Sequence, residues 1–303
     1  MMQVMLAKNS GFCFGVKRAI KLAEQTATKY GHATTIGPII HNPQMVERLK
    51  NAGVIAIDDI SLIETGPVII RSHGVSIETL TDLQKKGLDI VDATCPYVSK
   101  AQEFAKMADK GRYQIFILGN PDHPEIIALK SYVEKATVIP TDISLTNSFS
   151  TSLSKVAVIC QTTQNIDNLA KLVEQLLPIS NELRIFNTIC NATNVRQQSS
   201  LDLAKNCSIM IVIGGKNSSN TKMLANLCSE YTETKHIEVA EEIEEHWFKN
   251  LNNPEANIGL TAGASTPDWI IIDVYNKIKV MVGDIENQVI SVDSIPGYKE
   301  GVA

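Results

Sequence analysis

Three cysteines stand at matching points along the chain, and their surroundings repeat. Cys13, Cys95 and Cys190 lie in GFCFGVKRAIKLAEQ, DATCPYVSKAQEFAKMADK and NTICNATNVRQQSSLDLAKN, where small and apolar residues recur at helical spacing after the cysteine. A short β-type run and a glycine follow each one, in TTIGPII, IFILGN and IMIVIGG. Gly37, Gly119 and Gly214 each lie 24 residues beyond their cysteine. A fixed spacing kept three times marks an internal repeat. Three thiolates in register suit a soft metal centre. Structural zinc usually takes four protein ligands, often in close Cys-x-x-Cys pairs. The chain has no such pair and no fourth cysteine in register. Three thiolates on a cubane iron–sulfur cluster leave one iron open, able to act as a Lewis acid on a substrate oxygen. Cys160, Cys207 and Cys228 fall outside the register and read as small buried hydrophobes.

Other polar residues fall at equivalent points of the same repeat. The second loop of each unit carries His41-Asn42, His123-Pro124-Glu125 or Ser218-Ser219-Asn220. The third carries Ser72-His73-Gly74, Gln161-Thr162-Thr163 or Ala264-Ser265. Most of these loops lead into a helix, whose first N–H groups and partial positive charge favour anions and thiolates. His41, His73 and His123 each follow a strand at such a junction. His32, His236 and His246 sit in polar contexts and read as surface residues.

The elements that must hold these loops are legible from the apolar runs. The second set of strand–loop–helix segments is VIIRSHGVSIETLTDL (68–83), VAVICQTTQNIDNLAKLV (156–173) and NIGLTAGASTPDWIIIDVYNKI (257–278). Runs this dense in Val, Ile and Leu, with little alternation, fit parallel strands covered on both faces. The expected fold is α/β: three similar units with parallel sheets in a pseudo-threefold arrangement around a central cluster. Their expected spans are 13–95, 96–190 and 191–281, with terminal segments at 1–12 and 282–303. In open parallel sheets ligands gather beyond the carboxyl ends of the strands, where these loops lie. Two polar stretches, 141–155 and 250–257, read as surface loops, and the tail holds one short strand-like piece, NQVISV.

Composition narrows the function classes. The net charge is −5 and no Lys/Arg cluster appears, which argues against nucleic acid as a partner. No apolar stretch approaches the ~20 residues of a membrane span, and MMQVMLAKNSGF lacks the layout of a signal peptide. A cytoplasmic protein is expected. There, six cysteines in a chain of this size indicate metal or catalysis more than a disulfide framework.

The motifs GFCFGV, GPIIHNP, SHGV, DATCP, HPE, QTT, CNAT, GGKNSSN and TAGAS occur in order from residue 11 to residue 265. Together they resemble the 4-hydroxy-3-methylbut-2-enyl diphosphate reductase family of the non-mevalonate isoprenoid pathway. The resemblance implies one 4Fe-4S cluster on Cys13, Cys95 and Cys190, with the substrate hydroxyl at the open iron. It implies two electrons delivered singly by a ferredoxin or flavodoxin, loss of water, and protonation to isopentenyl or dimethylallyl diphosphate. It implies that His41, His73, Ser218, Asn220 and Ser265 bind the diphosphate and that Ser219 lines the same pocket. His123, Glu125 and Thr162 would stand at the proton-delivery end, with Glu125 the donor. Two departures are visible. CNATNVRQ differs from the expected CYATTNRQ-like form around Asn194 and Val195, and Gln102 stands where a histidine is often found.

Two other readings fit the cysteines alone. Quinolinate synthase resembles this layout, with three α/β units and three cysteines on one cluster, but HNP, SHGV, HPE and NSSN disfavour it. An iron–sulfur sensor would need no Ser/His/Asn set at equivalent loops. A nicotinamide dehydrogenase fits poorly because GGKNSSN lacks the G-x-G-x-x-G spacing.

Overall fold

A computed structural model describes residues 3–140, 152–248 and 256–282. The expected loop residues 141–151 and 250–255 and the strand-like NQVISV lie outside the described residues. In chain order the strands are β1 (Gln3–Leu6), β2 (Ala33–Ile36), β3 (Val54–Ile57), β4 (Pro67–Ile70), β5 (Asp89–Asp92), β6 (Gln114–Leu118), β7 (Ala136–Ile139), β8 (Leu153–Cys160), β9 (Ser180–Phe186), β10 (Ile209–Ile213), β11 (Glu233–Ile237) and β12 (Asn257–Ala262). They form three parallel four-stranded sheets, ordered β3-β2-β4-β5, β7-β6-β8-β9 and β1-β12-β10-β11. The α/β class and the three parallel-sheet units read from the sequence are what the chain adopts.

The helices that serve the site are α1 (Phe14–Tyr30), α2 (Pro43–Asn51), α3 (Ile77–Lys85), α4 (Pro96–Lys110), α5 (Pro124–Ser131), α6 (Ile166–Leu176), α7 (Asn191–Ala204), α8 (Ser219–Ser229) and α9 (Asp268–Val282). By contacts the chain divides into two compact bodies. One comprises 1–13, 41–43 and 191–303 and holds the sheet β1-β12-β10-β11. The other comprises Phe14–Ile40 and Gln44–Cys190 and holds the remaining two sheets.

The central strands are apolar on both faces because both faces are covered. In β6 and β8, Phe116, Leu118, Val156, Val158 and Cys160 join one core, and Ile115, Ile117, Ala157 and Ile159 join another. β10 and β12 behave the same way: Ile209, Ile211, Ile213, Ile258 and Leu260 enter one core, Met210 and Val212 the opposite one. Alternate residues of a strand point to opposite faces, so a strand buried twice shows no polar alternation.

Two features differ from the expected layout. Residues 1–12, expected as a terminal segment, supply β1, which pairs with β12 in register Gln3↔Asn257 to Leu6↔Leu260. Each sheet also has two outer strands with partly exposed residues beyond the two central strands legible in the sequence. The consequence for the cysteines is direct. Cys13, Cys95 and Cys190 follow β1, β5 and β9, an outer strand of each sheet, and the next residue begins α1, α4 or α7.

The glycines in the 24-residue register share one backbone role. The N–H groups of Gly37, Gly119 and Gly214 donate to Ile57, Ile139 and Ile237, each the last residue of the neighbouring strand, at 2.9, 2.9 and 2.8 Å. Gly214 also adopts φ +140°, and a β-carbon there would run into the Thr266 hydroxyl and stand 3.0 Å from that of Thr221. Glycine alone meets both conditions.

Candidate functional site

Each cysteine loop is closed by the same hydrogen bond. The N–H of Cys13 donates to the carbonyl of Ala264 at 3.1 Å, that of Cys95 to Ser72 at 3.0 Å, and that of Cys190 to Thr162 at 3.0 Å. The acceptors are the equivalent third-loop residues. The repeat therefore extends from sequence to main-chain geometry, and each cysteine is tied to the loop that carries Ser265, His73 or Thr162.

The two sets of cysteines occupy different surroundings. Cys13, Cys95 and Cys190 are half-buried residues immediately before a helix. Cys160 and Cys228 are fully buried. Burial pushes the thiols of Cys160, Cys207 and Cys228 up to about 12, and in Cys160 the hydrogen bond to Thr188 opposes it only partly. A thiol held protonated is a poor metal ligand, so the three cysteines outside the register suit packing.

In the two-sheet body, the proposed proton-delivery residues come together. Pro124 occupies the first position of α5, and His123 caps it. His123 Nδ1 accepts the Glu125 N–H at 3.2 Å. That bond orients the ring and leaves the neutral imidazole's proton on Nε2. The His73 ring meets the His123 ring edge-on, with centroids 5.4 Å apart. Glu125 is 2% exposed. Its carboxylate accepts the Thr162 N–H at 2.6 Å and the Thr162 hydroxyl at 2.8 Å. Burial raises the Glu125 carboxyl to about 7, against the lowering effect of the two Thr162 hydrogen bonds. A carboxyl at that value can hold and release a proton near neutral pH, as a general acid requires.

Gln161 supports this corner. Its side-chain carbonyl accepts the Asn120 N–H at 3.0 Å, and its own N–H donates to Leu118 at 2.8 Å. Gln102 is buried on α4, and a β-carbon on Gly74, next to His73, would lie 2.8 Å from its amide nitrogen. The departure at 102 thus packs beneath the His73 turn.

The other body gathers the remaining site residues. Ser218 caps α8, its hydroxyl accepting the Thr221 N–H at 3.3 Å, and Ser219 and Asn220 form the first turn. Asn220 is 4% exposed, and neither atom of its side-chain amide has a hydrogen-bond partner among the described residues. An orphaned buried amide costs about 1–3 kcal/mol; an anion at this helix N-terminus would satisfy its donor group. The Ser265 hydroxyl donates to the His41 carbonyl at 2.9 Å, and a β-carbon on Gly215 would stand 2.8 Å from that same oxygen. The GGKNSSN loop, His41 and Ser265 thus pack against one another.

Along α7, Thr193, Arg196 and Gln197 are buried, whereas Asn194 is half-buried and Val195 is 40% exposed. The departure at Asn194 and Val195 thus falls on the less buried side of α7. Of the histidines read as surface residues, His32 and His246 are exposed. His236 differs: it is half-buried in β11, its Nε2 2.9 Å from the Gly214 carbonyl. Sequence reasoning did not single out Arg18 and Arg196, whose side chains bond the main chain just before Cys95 and Cys13.

The raised Glu125 carboxyl has a consequence for stability. With a folded value of about 7 against 4.5 for an ordinary glutamate, the native state binds more protons than the unfolded one between these values. Stability then falls as pH rises through that window. Glu125→Gln should gain on the parent by a few kcal/mol on the order expected for such a shift between pH 4 and pH 8. Denaturant unfolding of the metal-free proteins at both pH values measures this. Parallel pH profiles would contradict the assignment.

Residues 4–279 match the family described as LytB protein. A 4-hydroxy-3-methylbut-2-enyl diphosphate reductase of Geobacter sulfurreducens is 45% identical over 289 residues, covering 92% of this chain and 97% of its own length. The enzyme of that name from Geotalea uraniireducens is 44% identical over 280 residues, covering 92% and 97%. Among solved structures, one described as (E)-4-hydroxy-3-methyl-but-2-enyl diphosphate reductase, the terminal enzyme of the non-mevalonate pathway, is 41% identical. It matches with a TM-score of 0.65 over 92% of this chain and all of its own. The Plasmodium falciparum reductase structure is 25% identical, with a TM-score of 0.82 over 95% of this chain and 90% of its own. The motifs read in order along the sequence and the match over nearly its whole length agree: the chain belongs to the LytB protein family.

Proposed function

We propose that this chain reduces 4-hydroxy-3-methylbut-2-enyl diphosphate to isopentenyl and dimethylallyl diphosphate, with the loss of water, as a cytoplasmic iron–sulfur oxidoreductase. Cys13, Cys95 and Cys190 hold one 4Fe-4S cluster. The observation that carries this reading is the identical closure of the three cysteine loops, each an N–H bonded to the equivalent third-loop carbonyl. The donor set fits: Cys13, Cys95 and Cys190 are half-buried thiols before helix N-termini, whereas burial pushes the other three thiols up to about 12. When bound, the cluster supplies electrons one at a time and an open iron as Lewis acid for the substrate hydroxyl. A ferredoxin or flavodoxin delivers the electrons.

The chain's own groups do the rest. His41, His73, Ser218, Asn220 and Ser265 bind the diphosphate, and Ser219 lines the same pocket. The Asn220 amide nitrogen and the α8 N-terminus offer hydrogen-bond donors that the diphosphate's oxygens accept. Glu125 holds the proton, and the Thr162 hydroxyl, bonded to its carboxylate at 2.8 Å, can turn to accept the proton of the neutral acid and pass one on. His123, fixed through Nδ1, presents Nε2–H. Among the described residues no helix is long and apolar enough to cross a membrane.

Cys13→Ser, Cys95→Ser and Cys190→Ser should each lose iron and turnover, because a serine oxygen is a hard ligand. Cys160→Ser and Cys207→Ser should keep iron at the cost of ordinary stability. Iron analysis of anaerobically reconstituted protein decides; iron lost from Cys160→Ser and kept in Cys95→Ser would refute the ligand set.

Asn220→Ala removes hydrogen bonding to a charged group, worth about 1.5–3 kcal/mol. Calorimetry should show inorganic diphosphate binding weakened by roughly ten- to hundredfold. Unchanged affinity would take Asn220 out of the diphosphate site.

Glu125→Gln keeps shape and can still hydrogen-bond, but cannot give up this proton. It should bind substrate and iron normally and turn over at least ~10²-fold more slowly with a chemical reductant. Normal turnover would remove Glu125 from proton delivery.

A further inference from the structure

The two arginines outside the sequence reading share a pattern. Arg18 lies in the second turn of α1, five residues after Cys13. Its guanidinium donates to the carbonyls of Thr94 at 3.1 Å and Asp92 at 3.2 Å. Thr94 is the residue before Cys95. Arg196 lies in α7, six residues after Cys190. It donates to the carbonyl of Gly11, two residues before Cys13, at 2.8 Å, and to Ala192 at 3.0 Å. Each arginine therefore sits on the helix that follows one cysteine and fastens the main chain that precedes another.

The fastened segments need holding. Gly11 adopts φ +83° and Asn9 φ +62°, a backbone with little intrinsic preference to stay put. Ser199, also on α7, adds a bond from its hydroxyl to the Lys8 carbonyl at 2.6 Å. Before Cys95, the Asp92 carboxylate accepts the Thr94 N–H at 2.8 Å. The equivalent position on α4 is Lys100, which lies over the Phe104 ring. The Cys190 loop is fastened differently, with the Thr188 hydroxyl accepting the Cys160 N–H at 2.9 Å.

We propose that Arg18 and Arg196 are positioning residues for the metal centre, each fixing the chain just before a cysteine ligand and placing a permanent cation beside it. The proposal rests on the reading of Cys13, Cys95 and Cys190 as cluster ligands. Arginine stays charged at any pH the protein meets, and its planar fork holds two acceptors at once. A cation near the thiolates favours the more negative, reduced state of a cluster, and cluster potential follows local charge and hydrogen bonding. Arg196 is 3% exposed, so its removal also risks the fold. Arg18 is half-buried and carries the test if Arg196→Gln does not fold.

The test compares the parent with Arg18→Gln, Arg18→Lys, Arg196→Gln and Arg196→Lys. Hydrogen exchange on the metal-free proteins reads the loops without any cluster. In Arg18→Gln, amides at 92–95 should exchange at least about tenfold faster while those at 187–190 stay as in the parent. In the Arg196 variants the change should fall at 8–13. On anaerobically reconstituted protein, a redox titration followed by electron paramagnetic resonance should give a lower midpoint in Arg18→Gln, partly restored in Arg18→Lys, and faster iron loss to a chelator. Local exchange and midpoint both unchanged in Arg18→Gln would overturn the proposal. A parent that takes up no cluster would instead overturn the ligand reading, and the exchange experiment would still decide whether the arginines hold the loops.

Discussion

The site depends on one interaction made three times: a cysteine N–H bonded to the carbonyl of the loop that ends the adjacent central strand. An outer strand must deliver each cysteine to the carboxyl end of its sheet, and the next residue must start a helix. The hydrogen bond fixes the cysteine between these two demands. It also ties the cysteine loop to the loop that carries Ser265, His73 or Thr162. One backbone bond thus couples each proposed ligand to the residues proposed to touch substrate, which is why the polar residues of the site occur in register.

Within that frame the two bodies carry different electrostatic problems. Glu125 is a buried carboxyl: burial drives its value up to about 7, and two Thr162 donors pull it back only partly. Asn220 is neutral and buried with its amide unsatisfied among the described residues. One group is poised to hold and release a proton near neutral pH, and the other to receive an anion it lacks. Both arrangements cost stability when nothing is bound, which is the usual mark of a site kept for chemistry.

Much of this was legible in the sequence because the central strands are buried on both faces. PVII, VAVIC and IMIVI show unbroken apolar runs, and those runs set the repeat. The outer strands were not legible. β5 reads DIVD and β9 reads SNELRIF, half-exposed segments with little to separate them from loop. β1 was harder still, since four residues at the N-terminus acquire meaning only through pairing with β12, some two hundred and fifty residues later. For the same reason each cysteine read as the start of a unit, whereas it follows the outer strand of a sheet. The chemistry-bearing side chains were visible by type and register. Arg18 and Arg196 were not, because their offsets from the preceding cysteine differ by one and their function lies in which carbonyl they reach.

Three equivalent loops are proposed to hold one cluster with an iron left open to substrate. The most direct measurement is the Mössbauer spectrum of anaerobically purified, iron-57-labelled protein with and without 4-hydroxy-3-methylbut-2-enyl diphosphate. The expected spectrum shows about four irons per chain, with one iron site distinct from the others and its parameters shifted by substrate. A centre with four equivalent thiolate-ligated irons, indifferent to substrate, would contradict it.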